Sequence, residues 1–203
     1  MPSPTLRERK RNRTRQALLD AAVELFERKG YDGTTVADIA EAADIGTRTF
    51  FGYFGSKEEL LFPDSARRVD AAVDAIANRA PDDRPVDVLL RALRDVAAPA
   101  GQPDDMIDRL ARLRLRLIRT VPAVRGRALQ VQLDAQRAIA THLGQAYPDE
   151  LDELTAAALV GAFVGAINGA LLALLDSDDD DADPEHVRQR LQRATDVALR
   201  PWR

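Results

Sequence analysis

The chain has 203 residues, of which 45% are hydrophobic and 31% are charged, and its formal net charge is −4. This balance is ordinary for a soluble globular protein and too apolar for a wholly disordered one. Because there is no cysteine, disulfides, thiolate zinc sites and cysteine nucleophiles are excluded. No apolar stretch follows the basic residues near the N-terminus, so we predict no signal peptide and expect a cytoplasmic protein.

Residues 1–15 are predicted to form a basic arm. Within residues 5–15, six cationic side chains accompany one Glu, which leaves +5 there and −9 on the rest of the chain. The cationic residues are Arg7, Arg9, Lys10, Arg11, Arg13 and Arg15. This asymmetry fits either a solvated, disordered tail or an arm that follows a phosphate backbone or enters a minor groove, with Arg11 and Arg13 as candidate contacts.

Two short helices, predicted over 35–42 and 47–53, form a helix-turn-helix candidate that spans 35–54. Residues 35–38 resemble a capping box at the start of the first helix, with Thr35 as the cap and Asp38 where Glu or Gln is usual. Asp44 lies in the turn, where the backbone needs a left-handed residue, a conformation that Asp tolerates. Apolar residues are available for the small core that fixes the crossing angle; they are Val36, Ile39, Ala40, Ile45, Phe50 and Phe54. In such a unit the second helix lies in the major groove of DNA.

The side chains left to face outward on the second helix are polar. They are Thr47, Arg48, Thr49 and Tyr53. Arg can donate a bidentate pair to guanine, and hydroxyl groups suit phosphates or base edges. Lys57 is a candidate phosphate contact at the start of a further helix, for which Ser56 is the predicted cap. A helix-turn-helix pattern is weak evidence by itself, since many helical proteins contain two short helices with a polar turn.

Beyond Pro63 the pattern predicts a series of longer helices. They lie near 64–80, 85–98, 104–120, 123–146, 149–175 and 184–199. Prolines fall at the starts of these segments or just outside their ends, where a missing N–H is tolerated. We therefore predict an all-α protein of about nine or ten helices, with no alternating strand pattern. An N-terminal three-helix domain with the helix-turn-helix would precede a larger helical domain.

Residues 15–62 carry three motifs that are together highly specific: AAVELFERKGY, TTVADIAEAAD and FFGYFGSKEEL, in order and correctly spaced. They resemble the DNA-binding domain of the TetR family of bacterial regulators, in its actinobacterial form. The resemblance implies a DNA-binding domain over 16–62 and a regulatory, ligand-binding and dimerisation domain over 63–203. It implies a homodimer on palindromic double-stranded DNA, most often a repressor that a small-molecule ligand releases. An activator or a ligand-independent DNA-binding protein of the same fold is the alternative.

The resemblance also assigns roles by position. Thr35, Tyr53 and Lys57 would contact phosphates. The residues that would read bases or backbone are Thr47, Arg48 and Thr49.

The chain departs from the family pattern at four positions. Asp44 and Gly46 stand where Gly and Ser are usual. Phe51 replaces a common tyrosine, which removes one hydroxyl contact. Gly52 lowers the helix propensity of an already short helix.

Residues 154–175 contain no charge and are long enough to cross a bilayer. Their GxxxGxxxG spacing could be a membrane packing motif, but both flanks are acidic and supply no positive anchor. We therefore predict no membrane span, but a helix buried by its own domain and by a second subunit. The predicted dimer-interface residues are Leu159, Phe163, Leu171 and Leu191. The acidic run 176–183 is predicted to be a solvated loop, since it lacks the Gly and closing Glu of a calcium loop.

Four arginines form a stripe at helical spacing, namely Arg109, Arg112, Arg116 and Arg119. A solvated polar face is the simpler interpretation, and an electropositive entrance for an anionic ligand is the other. The candidate pocket residues are Arg112, Arg116, Phe163 and Asn168. The family resemblance suggests an effector that is apolar or acyl-CoA-like.

With two histidines and no glycine-rich phosphate loop, we expect no enzymatic activity, no cofactor and no metal site.

Overall fold

The computed structural model describes residues 5–97, 105–175 and 184–202. Within them the chain forms nine α-helices and two short 3-10 helices, without a β-strand, so the all-α prediction is confirmed. The α-helices are α1 (Leu6–Lys29), α2 (Val36–Ala42), α3 (Thr47–Phe50), α4 (Ser65–Ala77), α5 (Pro85–Ala97), α6 (Asp105–Thr120), α7 (Pro122–Ala146), α8 (Glu153–Leu175) and α9 (Pro184–Ala198). The 3-10 helices are Glu58–Leu61 and Arg200–Trp202.

The long helices begin and end within a few residues of their predicted bounds, and proline is the first residue of α5, α7 and α9. Two short elements differ from the prediction. Helix α3 ends at Phe50 and continues in turns with i,i+3 hydrogen bonds to Tyr53, because Gly52 disfavours the α-helix. In place of a helix capped by Ser56, only the 3-10 helix Glu58–Leu61 follows, and it has no side-chain cap.

From Leu6 onward the basic segment is helical and is not an extended arm. Thr5 begins α1 in a capping box: Glu8 N donates to the Thr5 hydroxyl (3.2 Å), and Thr5 N donates to the Glu8 carboxylate (2.7 Å). Both backbone donors are thereby satisfied. The prediction of an arm is therefore corrected for residues 6–15, where Arg11 and Arg13 are exposed on α1. Residues 1–4 lie outside the described part.

The chain divides into two compact units. Of the described residues, the N-terminal unit contains 5–63 and 105–128, and the C-terminal unit contains 64–97, 129–175 and 184–202. The predicted domain over 16–62 is therefore only one part of the N-terminal unit. The other part includes α6, which packs against α1 and contributes Leu113 and Leu117 to the same core.

The core of the N-terminal unit holds the helix-turn-helix in place. Leu18 of α1, Ile39 of α2 and Phe50 of α3 are fully buried in one cluster. Thr34 is buried as well, and its hydroxyl donates to the Gly30 carbonyl (2.8 Å), which compensates for the loss of water. Gly30, at φ 77°, ends α1. The positions of α2 and α3 are therefore set by side chains of α1.

The turn between α2 and α3 depends on one left-handed residue. Asp44 has φ 55°, as predicted, and Ile45 N closes the turn by donating to the Ala40 carbonyl (2.9 Å). Asp enters this region of backbone space more readily than most residues, and a β-branched residue is a genuine outlier there.

We expect Asp44→Val to destabilise the N-terminal unit by about 1–2 kcal/mol, because a β-branched side chain clashes with its own backbone at positive φ. Asp44→Gly should change the stability by less than about 1 kcal/mol, since relief of strain is offset by the larger entropy of the unfolded chain. Urea unfolding followed by circular dichroism measures both. A Val variant as stable as the wild type would contradict the requirement for a left-handed residue.

In the C-terminal unit, α4 packs against α5 and α8 packs against α9. Helix α8 contributes Leu159, Val160 and Phe163 to the core of this unit. The prediction of Leu159 and Phe163 as dimer-interface residues is therefore corrected, because they are already buried within the subunit. Leu171 and Leu191 are partly exposed.

Helix α8 is also long and apolar enough to cross a membrane, over Glu153–Ala173, with a mean hydropathy of 1.9. It is the one helix of this kind among the described residues. This is weak evidence for a membrane span, because core helices of soluble proteins have the same length and composition. The acidic run 176–183, predicted as a solvated loop, lies outside the described residues.

Candidate nucleic-acid interface

Helix α3 presents polar side chains on a backbone that is anchored from beneath. Phe50 is fully buried, and its ring centroid lies 6.1 Å from that of Phe54. Thr47, Arg48 and Thr49 are exposed, and their side chains make no hydrogen bond or ion pair with a described residue. The donors of these three side chains are therefore available to an external partner.

The two aromatic residues that follow α3 differ in exposure. Tyr53 is partly buried and packs against the core of the N-terminal unit, whereas Phe51 is 58% exposed. The sequence predicts a DNA contact for Tyr53, whereas for Phe51 it indicates only the loss of the hydroxyl that is common in the family. Helical spacing was the available signal, since Phe51 lies three and four residues after Arg48 and Thr47 and shares their face.

The N-terminus of α2 is closed by the predicted capping box. Asp38 N donates to the Thr35 hydroxyl oxygen (3.1 Å), while the Thr35 amide (2.8 Å) and hydroxyl both donate to the Asp38 carboxylate. Lys29 Nζ lies 3.1 Å from the same carboxylate. The Thr35 hydroxyl and amide, with Lys29, hold the pKa of Asp38 well below its ordinary value. Thr35 is exposed but engaged as a cap, and its contact with phosphate stays a prediction.

Lys57 has a structural role that the sequence did not reveal. Its ammonium donates to the carbonyls of Tyr31 (2.9 Å) and Thr34 (3.0 Å) and lies 4.0 Å from the centroid of the Tyr31 ring. The Tyr31 hydroxyl donates to Glu58; burial raises the pKa of Tyr31, and Glu58 adds to that rise. Lys57 therefore joins the segment after α3 to the connection between α1 and α2. The phosphate clamp predicted for Lys57 has only the third N–H of the ammonium to use.

Two further arginines, absent from the predicted DNA-binding set, hold the segment that follows the helix-turn-helix. Arg15 donates to the Pro63 carbonyl (2.9 Å). Arg127 of α7 pairs with Glu59 (3.0 Å), whose other carboxylate oxygen accepts from Gly55 N (2.7 Å). All these contacts lie within the N-terminal unit. The contacts of the two arginines join distant parts of the sequence, so no local pattern could have identified them.

The arginine stripe on α6 has two kinds of member. Arg109 pairs with Glu27 of α1, which fastens α6 to the N-terminal unit. Arg112 and Arg116 are exposed on the same helix. The geometry favours a solvated face for these two and a structural role for Arg109.

The four predicted pocket residues belong to different compact units. Arg112 and Arg116 lie in the N-terminal unit, whereas Phe163 and Asn168 lie on α8 in the C-terminal unit. Phe163 is buried and Asn168 is partly exposed. Two shallow, open depressions on the described residues lie around α2 and include none of the four. The position of an effector pocket therefore stays a prediction.

Two family models match the chain. The model described as "Bacterial regulatory proteins, tetR family" matches residues 18–62, which include the helix-turn-helix. The model described as "MftR C-terminal domain" matches residues 83–198, more than half of the chain.

Curated relatives with sequence identity to this chain are named as transcriptional regulators. TcmR of Streptomyces glaucescens, an HTH-type transcriptional regulator, is 35% identical over 123 residues, which cover 60% of this chain and 54% of that protein. LfrR of Mycolicibacterium smegmatis, an HTH-type transcriptional repressor, is 34% identical over 91 residues, which cover 45% of this chain and 47% of LfrR. The chain spans about half the length of these relatives.

Solved structures share the fold. Thermus thermophilus FadR, a TetR-family transcriptional repressor solved in complex with lauroyl-CoA, aligns with a TM-score of 0.56 at 21% identity, over 91% of this chain and 93% of FadR. Salmonella enterica GusR aligns with a TM-score of 0.51 at 19% identity, over 92% of this chain and 93% of GusR. At such identities the likeness concerns the fold alone.

Proposed function

The chain belongs to the TetR family of bacterial regulatory proteins, and from this premise we propose that it is a homodimeric repressor which a small-molecule ligand releases from a palindromic operator. The family and the named relatives make it a DNA-binding transcriptional regulator. We propose three further points: which residues contact DNA, how the chain forms a dimer, and which effector it binds. A protein with this task acts on chromosomal DNA, so we expect it in the cytoplasm.

The observation that carries the proposal is the exposure of the polar side chains on α3. Thr47, Arg48 and Thr49 are exposed and unengaged by described residues, above the fully buried Phe50. A helix end that projects free donors from a rigid support matches what base readout in the major groove requires. Arg48 is assigned to a base edge, since its guanidinium can donate two parallel hydrogen bonds to guanine.

Other residues are assigned to the sugar–phosphate backbone. Arg11 and Arg13 are exposed on the basic first part of α1, and Thr35 and Tyr53 carry hydroxyls near the helix-turn-helix. Contacts of this kind fix the register of a protein on DNA without reading its sequence. Lys57 contributes through the one N–H that its carbonyl contacts leave over.

A second copy of the chain is proposed to cover the outer face of α8. Exposed apolar and small residues recur along this face at helical spacing; they are Leu154, Ala158, Gly165, Gly169 and Leu172. A Cβ added at Gly165 or Gly169 would meet nothing within 4 Å, so the subunit itself does not use the room that these glycines leave. An uncharged strip of this length favours burial by association, and an isologous dimer uses the same strip twice.

We expect Leu172→Asp to weaken dimerisation by at least about 100-fold, because the two-fold interface would bury two unpaired carboxylates. Leu129→Asp is the matched control, since both leucines are 54% exposed and only Leu172 lies on α8. Light scattering over a concentration series measures the dimer, and anisotropy with labelled DNA measures the accompanying loss of binding. Equal dimerisation of the two variants would place the interface elsewhere.

Ligand release requires that the effector bind the DNA-free state more tightly than the DNA-bound state. The effector class to test first is a long-chain acyl-CoA. It is supported by the lauroyl-CoA complex of a structural neighbour and by the apolar composition of the C-terminal core.

The proposed function is tested on the DNA immediately upstream of the protein's own gene. We expect tight binding of that fragment over a random duplex, with a steep fall in affinity as salt increases, because basic residues displace counterions from phosphates. Lauroyl-CoA should then release the protein, whereas coenzyme A alone should not. A protein that prefers no sequence, even after selection from a random library, would contradict the repressor proposal.

A further inference from the structure

Phe51 is an apolar ring on the surface that the proposed function turns toward DNA. It is 58% exposed, whereas the preceding Phe50 is fully buried. Phenylalanine is one of the residue types most often buried in soluble proteins. Three exposed polar residues, Thr47 to Thr49, precede it on α3, so the ring adds an apolar group to a helix whose other exposed side chains are suited to hydrogen bonds.

The Phe51 ring is held in place by its neighbours. Its backbone is still helical (φ −66°, ψ −12°), and its amide donates to the Thr47 carbonyl (3.2 Å). The ring stands edge-on to Phe50, with centroids 5.4 Å apart and an interplanar angle of 83°. Because the core fixes Phe50, this contact orients Phe51 before DNA arrives and reduces the entropy lost on binding.

The position of Phe51 limits what it can contact. It lies one helical turn after Thr47 and Arg48, so the three side chains share one face. Without a hydroxyl, Phe51 cannot donate to a phosphate or to a base edge. The major groove presents one apolar group for a ring to bury, which is the C5-methyl group of thymine.

We propose that Phe51 reads the C5-methyl group of one thymine in each operator half-site, close to the base pair that Arg48 contacts. The proposal rests on the proposed function, because it requires α3 to enter the major groove. Arg48 then selects by hydrogen bonds and Phe51 by apolar contact. Phe51 is in this sense a specificity-determining residue, and the family's tyrosine hydroxyl is exchanged for apolar surface.

The test uses the duplex of highest affinity that the wild-type protein selects from a random library. Each thymine of this duplex is replaced in turn by deoxyuridine, which removes the methyl group and leaves every hydrogen-bonding group unchanged. For the wild type we expect about a fourfold loss of affinity at one thymine per half-site, and about 15-fold when both are replaced. Phe51→Leu should keep this sensitivity, and Phe51→Ala should lose it.

The outcomes separate this inference from the proposed function. If no deoxyuridine weakens wild-type binding, or if Phe51→Ala is as sensitive as the wild type, the assignment of Phe51 is overturned while the regulator stands. If the wild type selects no sequence at all, the proposed function itself fails. Low salt keeps the weaker variant measurable, and the ratio of the two affinities for each variant is independent of its overall binding strength.

Discussion

Replacing Arg48 by Ala is expected to lower affinity for the operator by about 30-fold or more, and selectivity by the same factor. A bidentate Arg–guanine contact contributes about 1–3 kcal/mol of discrimination, and a dimer loses two such contacts. The fold should be unaffected, because Arg48 is exposed and its side chain makes no hydrogen bond with a described residue. Fluorescence anisotropy with the operator and with a scrambled duplex measures both quantities.

Three companion variants show whether the loss comes from base readout or from charge. Arg48→Lys keeps the charge without the bidentate geometry, so it should lose selectivity but less overall affinity. Arg13→Ala should weaken operator and scrambled duplex alike, as expected for a phosphate contact. Arg137→Ala, at an exposed position on α7, should change neither. An Arg48→Ala variant that weakens both duplexes equally would move Arg48 to the phosphate contacts.

Replacing Phe50 by Ala is expected to destabilise the N-terminal unit by about 3–5 kcal/mol, through lost burial and the cavity left behind. Phe50 is fully buried between α3 and the rest of the core, so α3 would lose its anchor. Operator binding should fall below detection, while the C-terminal unit keeps the protein dimeric. Thermal unfolding gives the loss of stability, and light scattering shows whether the dimer persists.

The adjacent phenylalanine is the matched control for this prediction. Phe51→Ala removes the same atoms one residue later, at a site that is 58% exposed, and should cost less than about 1 kcal/mol because little apolar surface leaves water on folding. Similar destabilisation by both substitutions would mean that α3 is not anchored through Phe50.

Much of the fold could be predicted because its determinants are local. The bounds of the long helices follow from apolar residues spaced at 3.6 and from prolines at their starts. The capping box of Thr35 and Asp38 and the left-handed Asp44 were also predicted from residue type and position, and both are confirmed. In each case the interacting residues lie no more than five positions apart, so a short stretch of sequence contains both partners.

Predictions were incomplete or wrong where a partner lies far away in the sequence. Lys57 resembles a surface cation, but its ammonium binds the carbonyls of Tyr31 and Thr34. Arg109 resembles one of four equivalent arginines, but it forms an ion pair with Glu27 of α1. The hydrogen-bond or ion-pair partner of a polar side chain is a group that the fold brings close to it. When that group is distant in the sequence, no periodic pattern identifies it.

The apolar helix α8 shows the same limit for burial. Composition identified a helix buried on more than one side, and this interpretation is retained in the dimer proposal. It could not say which face would meet the subunit's own core, and Leu159 and Phe163 proved to lie on that inner face. In a helix that is apolar on every side, the sequence pattern does not show which face is buried in the subunit.

The sequence by itself determined the helices, their caps, the Asp44 turn and the family of the protein, because short-range backbone and capping energetics act between near neighbours. Only the tertiary structure decided that α6 completes the N-terminal unit, that Lys57 and Arg109 are structural, and that Phe50 is buried while Phe51 is exposed. Two adjacent phenylalanines have identical local propensities. Which of them leaves water depends on packing between segments that are distant in the chain, where burial of apolar area outweighs any local preference.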